Sequence, residues 1–118
     1  MVSISQKGFA TWLGVILLLV GLLGFFMESP LLGIFEANST HTWIHLISGF
    51  LALLAGLTSA GAYAGTYNKT FGIVYLLVGV LGFLGVGFLV DLLMLNTADN
   101  ALHLLIGVVT AWVGYKST

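Results

Sequence analysis

LGVILLLVGLLGFFMESPLLGIFEANSTHTWIHLISGFLALLAG, residues 13–56, and FGIVYLLVGVLGFLGVGFLVDLLMLNTADNALHLLIGVVTAWVG, residues 71–114, align without a gap when the chain is slid along itself by 58 positions (45 to 103). Val20-Gly21-Leu22-Leu23-Gly24-Phe25 falls on Val78-Gly79-Val80-Leu81-Gly82-Phe83, Asn38 on Asn96, and His45-Leu46 with Gly49 on His103-Leu104 with Gly107. Leucine and glycine coincide cheaply in apolar sequence, but paired Asn and His at one offset are rare letters agreeing. The chain therefore reads as a duplication. Each unit holds two apolar runs, so both units enter the bilayer from the same side, as parallel repeats about a pseudo-twofold axis along the membrane normal. The expected fold is an all-α membrane protein of four transmembrane helices, built from two tandem helical hairpins.

Composition supports the bilayer as solvent. The 118 residues are 59% hydrophobic and 6% charged, with a mean hydropathy of +1.14, whereas ordinary soluble domains carry about a quarter charged residues. The four apolar runs leave no sequence for an extramembrane domain, so residues 1–118 are expected to form one transmembrane domain. The absence of cysteine excludes disulfides, thiolate metal sites and thiol catalysis. Three lysines and no arginine leave no basic patch for nucleic acid.

The apolar runs cover residues 8–27, 40–56, 71–90 and 98–115. Glu28, Ser29 and Pro30 close the first, and Asp91 interrupts the end of the third. The polar, Gly/Ala/Tyr/Thr-rich stretch 58–70 reads as a linker between repeat 1, about 9–57, and repeat 2, about 71–115. The fourth run is just long enough for the ~20 residues a crossing needs, which suggests little tilt. The first run reads as a crossing and not as a cleaved signal. Its core is too long, it lacks a small-x-small cleavage site, and it has an internal counterpart.

Charge sets the expected orientation. Lys7, Lys69 and Lys116 fall on one side, and Glu28, Glu36, Asp91 and Asp99 on the other, so positive-inside places both termini in the cytoplasm of a bacterial inner or thylakoid membrane. Gly14, Gly21, Gly24 and Gly49, echoed by Gly72, Gly79, Gly82 and Gly107, recur near helical spacing and read as helix-packing positions.

Chemistry concentrates at the starts of the second and fourth helices. Asn38 and Asn96 read as helix caps. Beyond them His41, His45, Gly49, Ala52 and Gly56 share one helical face, and Asp99, His103, Gly107, Thr110 and Gly114 share the corresponding one. If those stripes meet, three imidazoles and one carboxylate converge in the outer part of the membrane. Three readings stay open at this point. The polar groups could satisfy backbone donors or bond across helices. His41, His45, Asp99 and His103 could hold a divalent metal such as zinc. Alternatively His45, His103 or both could ligate a haem or chlorophyll, with Gly49 and Gly107 leaving room for a flat macrocycle.

Leu32-Gly33-Ile34-Phe35, His41, His45-Leu46 with Gly49, and Asn96-Thr97-Ala98-Asp99-Asn100-Ala101-Leu102-His103 with Gly107 carry a family resemblance over nearly the whole chain. Together they resemble the small four-helix membrane family catalogued as domain of unknown function 4383, found for example in actinobacteria and cyanobacteria. Thr42 departs from the asparagine expected after the first histidine. The resemblance implies the fold, the membrane location and these polar positions, and it brings no substrate or reaction.

The function expected from these residues is non-enzymatic: no serine, cysteine or carboxylate pair stands in a catalytic arrangement. The leading expectation is an accessory or structural subunit that packs within a larger photosynthetic or respiratory complex, or against copies of itself. Metal binding and haem or chlorophyll binding are the alternatives. A pore or carrier should carry charged groups or broken helices at mid-membrane, and here the polar residues gather toward one surface.

Overall fold

A computed structural model of the chain describes residues 5–27 and 38–116, and these residues are all-helical. The helix-stop cluster Glu28-Ser29-Pro30, the segment 32–35 and Glu36 lie outside the described residues. The order is α1 (Gln6–Phe26), α2 (Ser39–Leu57), a 3-10 turn (Ser59–Gly61), α3 (Ala64–Phe83), α4 (Gly87–Leu93) and α5 (Thr97–Lys116).

Capping fixes three of the long helices at their starts. The Ser5 hydroxyl accepts from the Gly8 amide at 2.9 Å, and the Asn38 side chain accepts from the His41 amide at 2.9 Å. At α5, Asn96 Oδ1 accepts from the Asp99 amide at 2.8 Å while Asp99 Oδ2 accepts from the Asn96 amide at 3.0 Å. This reciprocal pair is a capping box with an aspartate in the usual glutamate role.

Two of the helices, α1 and α2, are each long and apolar enough to cross a membrane, and α3 with α4 qualifies as a third if the bent pair is one span. At 1.5 Å per residue, the 21 residues of α1 reach ~31 Å, the thickness of a hydrocarbon core. The distribution of side chains suits the same solvent. Trp12 and Phe26 are 69% and 83% exposed, and the perimeter continues with Phe50, Leu105 and Trp112. The interior instead holds His41, Thr42, His45, Ser48, Asn68, Asp99, Asn100, His103 and Thr110. In water this arrangement would be inverted.

The main packing is pairwise, α1 on α2 and α3 on α5, and the two pairs meet through Ala10, Leu13, Leu17, Ala52, Ala64, Tyr67 and Tyr75. Both seams depend on close backbone approach. A Cβ on Gly14 would lie 2.8 Å from the Gly49 carbonyl oxygen, and one on Gly72 would run into the Ala111 backbone. Small residues are how helices pack when lipid removes the hydrophobic drive.

The two ends of the bundle differ. At one end Gln6 gathers three segments: its Nε2 donates to the Val113 carbonyl at 2.8 Å, and its Oε1 accepts from Asn68 Nδ2 at 2.9 Å. The Lys7 side chain lies against Gly61 there, and Lys69 sits over the Tyr115 ring. At the other end lie the starts of α2 and α5, with the histidines.

The third helix departs from the expected 71–90 span at both ends. It starts at Ala64, inside the stretch read as a linker, because Ala64, Tyr67 and Asn68 face inward and the Asn68 amide donates to Gln6 Oε1. It stops at Phe83, since Gly85 adopts φ +71°. The Val86 amide bonds back to Leu81 and the Gly85 amide to Gly82, the two bonds of a Schellman motif. Beyond this break α4 turns away by 109°. Its last carbonyls are met by α2 side chains: Asn38 Nδ2 donates to Leu92 O at 2.8 Å, and His41 Nδ1 pairs with Leu93 O at 3.0 Å.

Two outcomes follow. Gly72→Val overpacks the α3/α5 seam and lowers thermal stability in detergent by ~1–3 kcal/mol, whereas Gly87→Ala, where a Cβ meets open space, leaves the melting curve in place. Asn38→Ala removes a cap worth about 1 kcal/mol and also releases Leu92 O. Amide exchange in α4 is therefore expected to accelerate more than in α5, and equal acceleration in both would contradict the α2–α4 link.

Candidate metal centre

His41 and His45 lie one turn apart on α2, and His103 comes from the second turn of α5. Both helices start at the same end, so their caps set the histidines at matching depth. The ring centroids of His41 stand 4.4 Å from His45 and 5.2 Å from His103, and those of His45 and His103 are 6.1 Å apart. All three side chains are buried. One nitrogen from each can be chosen so that the three lie within 4.8 Å of one another.

Hydrogen bonding assigns the nitrogens. His41 Nδ1 faces the Leu93 carbonyl, an acceptor, so Nδ1 carries the hydrogen and Nε2 keeps its lone pair. That Nε2 stands 3.3 Å from His103 Nε2. Two nitrogens bound to one tetrahedral zinc at ~2.0–2.1 Å are separated by about 3.3–3.4 Å, so the spacing suits a shared cation. A ligand histidine whose other nitrogen donates to a backbone carbonyl is also the usual outer-shell pattern of metal sites.

His103 supplies a second sign. Its Nδ1 is buried and has no hydrogen-bond partner among the described residues. If Nδ1 carries the hydrogen, two bare Nε2 lone pairs confront each other across 3.3 Å, an arrangement a cation resolves. If Nε2 donates to His41 instead, the Nδ1 lone pair is the orphan. In either tautomer Nδ1 stays without a partner among the described residues, so a cation would answer only the facing Nε2 lone pairs.

Of the four residues expected to form a metal set, the structure brings the three imidazoles together. The Asp99 carboxylate lies outside that trio and closes the capping box of its own helix. Asn38 and Asn96 serve as caps. Gly21 packs on Leu46 and Gly79 on Leu104; Gly24 packs on Thr42 and Gly82 on Asn100; Gly49 lies over Leu17 and Gly107 over Leu76. Gly49 and Gly107 are thus filled by neighbouring helices and leave no slot for a macrocycle one turn below the histidines.

Beside the trio is a cavity of about 210 Å³, walled by Ile44, Phe71, Val74, Val78, Leu89 and Leu92. Two hydroxyls not singled out from the sequence complete its lining. Ser48 Oγ donates to Ile44 O at 2.7 Å and lies 2.6 Å from Tyr75 Oη. Tyr67 Oη donates to Ser48 O at 2.8 Å. The available signal was where the two halves disagree: at the common offset Tyr75 falls on Leu17, and Ser48 falls on Ile106.

No curated protein and no solved structure matches the chain. A family model does, across residues 7–115, which takes in α1 to the last turn of α5 and all three histidines. The chain therefore belongs to the family described as Domain of unknown function (DUF4383).

Proposed function

We propose that this chain is an integral membrane protein of four crossings, two parallel tandem hairpins with cytoplasmic termini, that binds one transition-metal ion through His41, His45 and His103. The convergence of three buried imidazoles within 4.8 Å carries the metal reading. Accessory packing within a larger complex, the leading expectation from the sequence, needs no such convergence. The apolar perimeter it would use is also the surface lipid covers.

The hairpin reading draws on the seams. The contacts of Gly14 with Leu53, Gly21 with Leu46 and Gly24 with Thr42 recur, each moved by 58 positions, as Gly72 with Ala111, Gly79 with Leu104 and Gly82 with Asn100. Duplicated sequence paired with duplicated contacts is what two copies of one hairpin would produce. The placing of Lys7 against Gly61 and of Lys69 over Tyr115, both at the end that holds Gln6, supports the orientation.

A haem or chlorophyll on His45 and His103 draws less support. His41 crowds both rings, 4.4 Å from His45 and 5.2 Å from His103 between centroids, and the adjoining cavity of about 210 Å³ falls below the ~300–1,000 Å³ of ordinary small-molecule pockets.

Elemental analysis of protein extracted in mild detergent and titrated with transition metals is expected to find about one ion per chain. His41→Ala, His45→Ala and His103→Ala should each weaken binding by more than the ~10–100-fold that losing an outer-shell partner costs. Asp99→Asn should retain the ion. Equal binding by His103→Ala and the parent would remove the metal reading. Because the chain lacks cysteine, topology can be tested independently with single cysteines at Ser5, Ser59 and Asp91. The first two are expected to react with an impermeant maleimide from the cytoplasmic side and the third from the opposite side. Labelling of Ser5→Cys and Ser59→Cys from different sides would overturn the parallel hairpins.

A further inference from the structure

We infer that the ion preferred by His41, His45 and His103 is monovalent copper, held by three nitrogens without a water ligand. The inference rests on the metal-site reading above and names the ion that the surroundings select.

Charge is the first consideration. The three donors are neutral imidazoles, so the full charge of the ion stays on the site. The cost of placing an ion among apolar groups rises with the square of its charge, making a divalent ion about four times as costly as a monovalent one. The walls beside the trio are Ile44, Phe71, Val74, Val78, Leu89 and Leu92, none of which offers a counter-charge.

Coordination number is the second. Zinc in a three-histidine site completes its tetrahedron with water, and a buried water needs about two to four polar partners of its own. The cavity supplies few. Ser48 Oγ already donates to Ile44 O and lies within hydrogen-bond distance of Tyr75 Oη, so these two hydroxyls are engaged with one another and the backbone. His41 Nδ1 is engaged with Leu93 O. Imidazole is a donor that copper accepts, and closed-shell copper(I) is stable with three ligands, so here the low coordination number and single charge, not ligand softness, favour it. Among the described residues no cysteine or methionine sulfur lines the trio, so the donor set is nitrogen alone.

The test uses the full chain in detergent under anaerobic conditions. One equivalent of copper(I) is added, followed by a tenfold excess of zinc(II), and the bound metals are quantified after desalting. Retention of copper, with X-ray absorption showing three nitrogen neighbours and no fourth light ligand, is the expected result. Displacement of copper by zinc, or a four-coordinate copper, would overturn the inference while leaving the metal site standing. Failure of both ions to bind would overturn the site itself. Val78→Asn places a hydrogen-bonding group on the cavity wall without touching a ligand. It is expected to shift the copper-to-zinc ratio at least about tenfold toward zinc, a change of ~1.4 kcal/mol, while Val78→Ala leaves the ratio unchanged. Circular dichroism on both variants confirms the helical fold, and an unmoved ratio in folded Val78→Asn counts against the dry-site argument.

Discussion

Direct backbone contact between helices is the constraint on which the rest of this molecule depends. Where Gly14 meets Gly49 and Leu53, and Gly72 meets Ala111, the chains run too close for an added methyl group. In a setting where apolar side chains gain little by leaving lipid, dispersion at short range and polar contacts inside the bundle must hold the helices together. The seams pair α1 with α2 and α3 with α5, while Ser48 with Tyr67 and Tyr75, and His41 with Leu93, tie α2 to the second pair on the side where His103 stands.

A second consequence concerns polar groups. With an apolar perimeter, each buried polar side chain has to find its partner within the protein. Several polar side chains do so across long sequence distances: Gln6 with Val113, Asn68 with Gln6, His41 with Leu93. Each joins elements that the main seams leave only lightly connected, α1 with α5, α3 with α1 and α2 with α4. Packing holds each helix pair, and hydrogen bonds add to the shared apolar core in tying the pairs and α4 to one another.

The glycines, the caps and the histidines were legible in the sequence because each is a local signal: a residue type at helical spacing or at a helix start. The start of α3 was not. Asn68 and Lys69 look like surface residues, and only Gln6, 62 positions away, makes Asn68 an interior one. The break at Gly85 was readable in principle as a glycine closing a helix, but the apolar run continues through Phe88 and Leu89 and conceals it. Asp99 looked like a ligand because it occupies the position corresponding to His41. Its carboxylate is one residue type that can serve either a metal or a helix cap, and here it accepts from the amide of Asn96. Sequence spacing placed the aspartate on the correct face and could not choose between those uses.

The short α4 gives the bundle an order of assembly. Seven residues cannot sustain a helix alone, so α4 takes shape only after Asn38 and His41 have been set in place by the start of α2. α4 is therefore the element most dependent on its neighbours, held to α2 by two side-chain hydrogen bonds where each long pair is held by a whole seam. Because Leu89, Leu92 and Leu93 line the space beside the histidines, a lifting of α4 would open that space while the long helix pairs stay together.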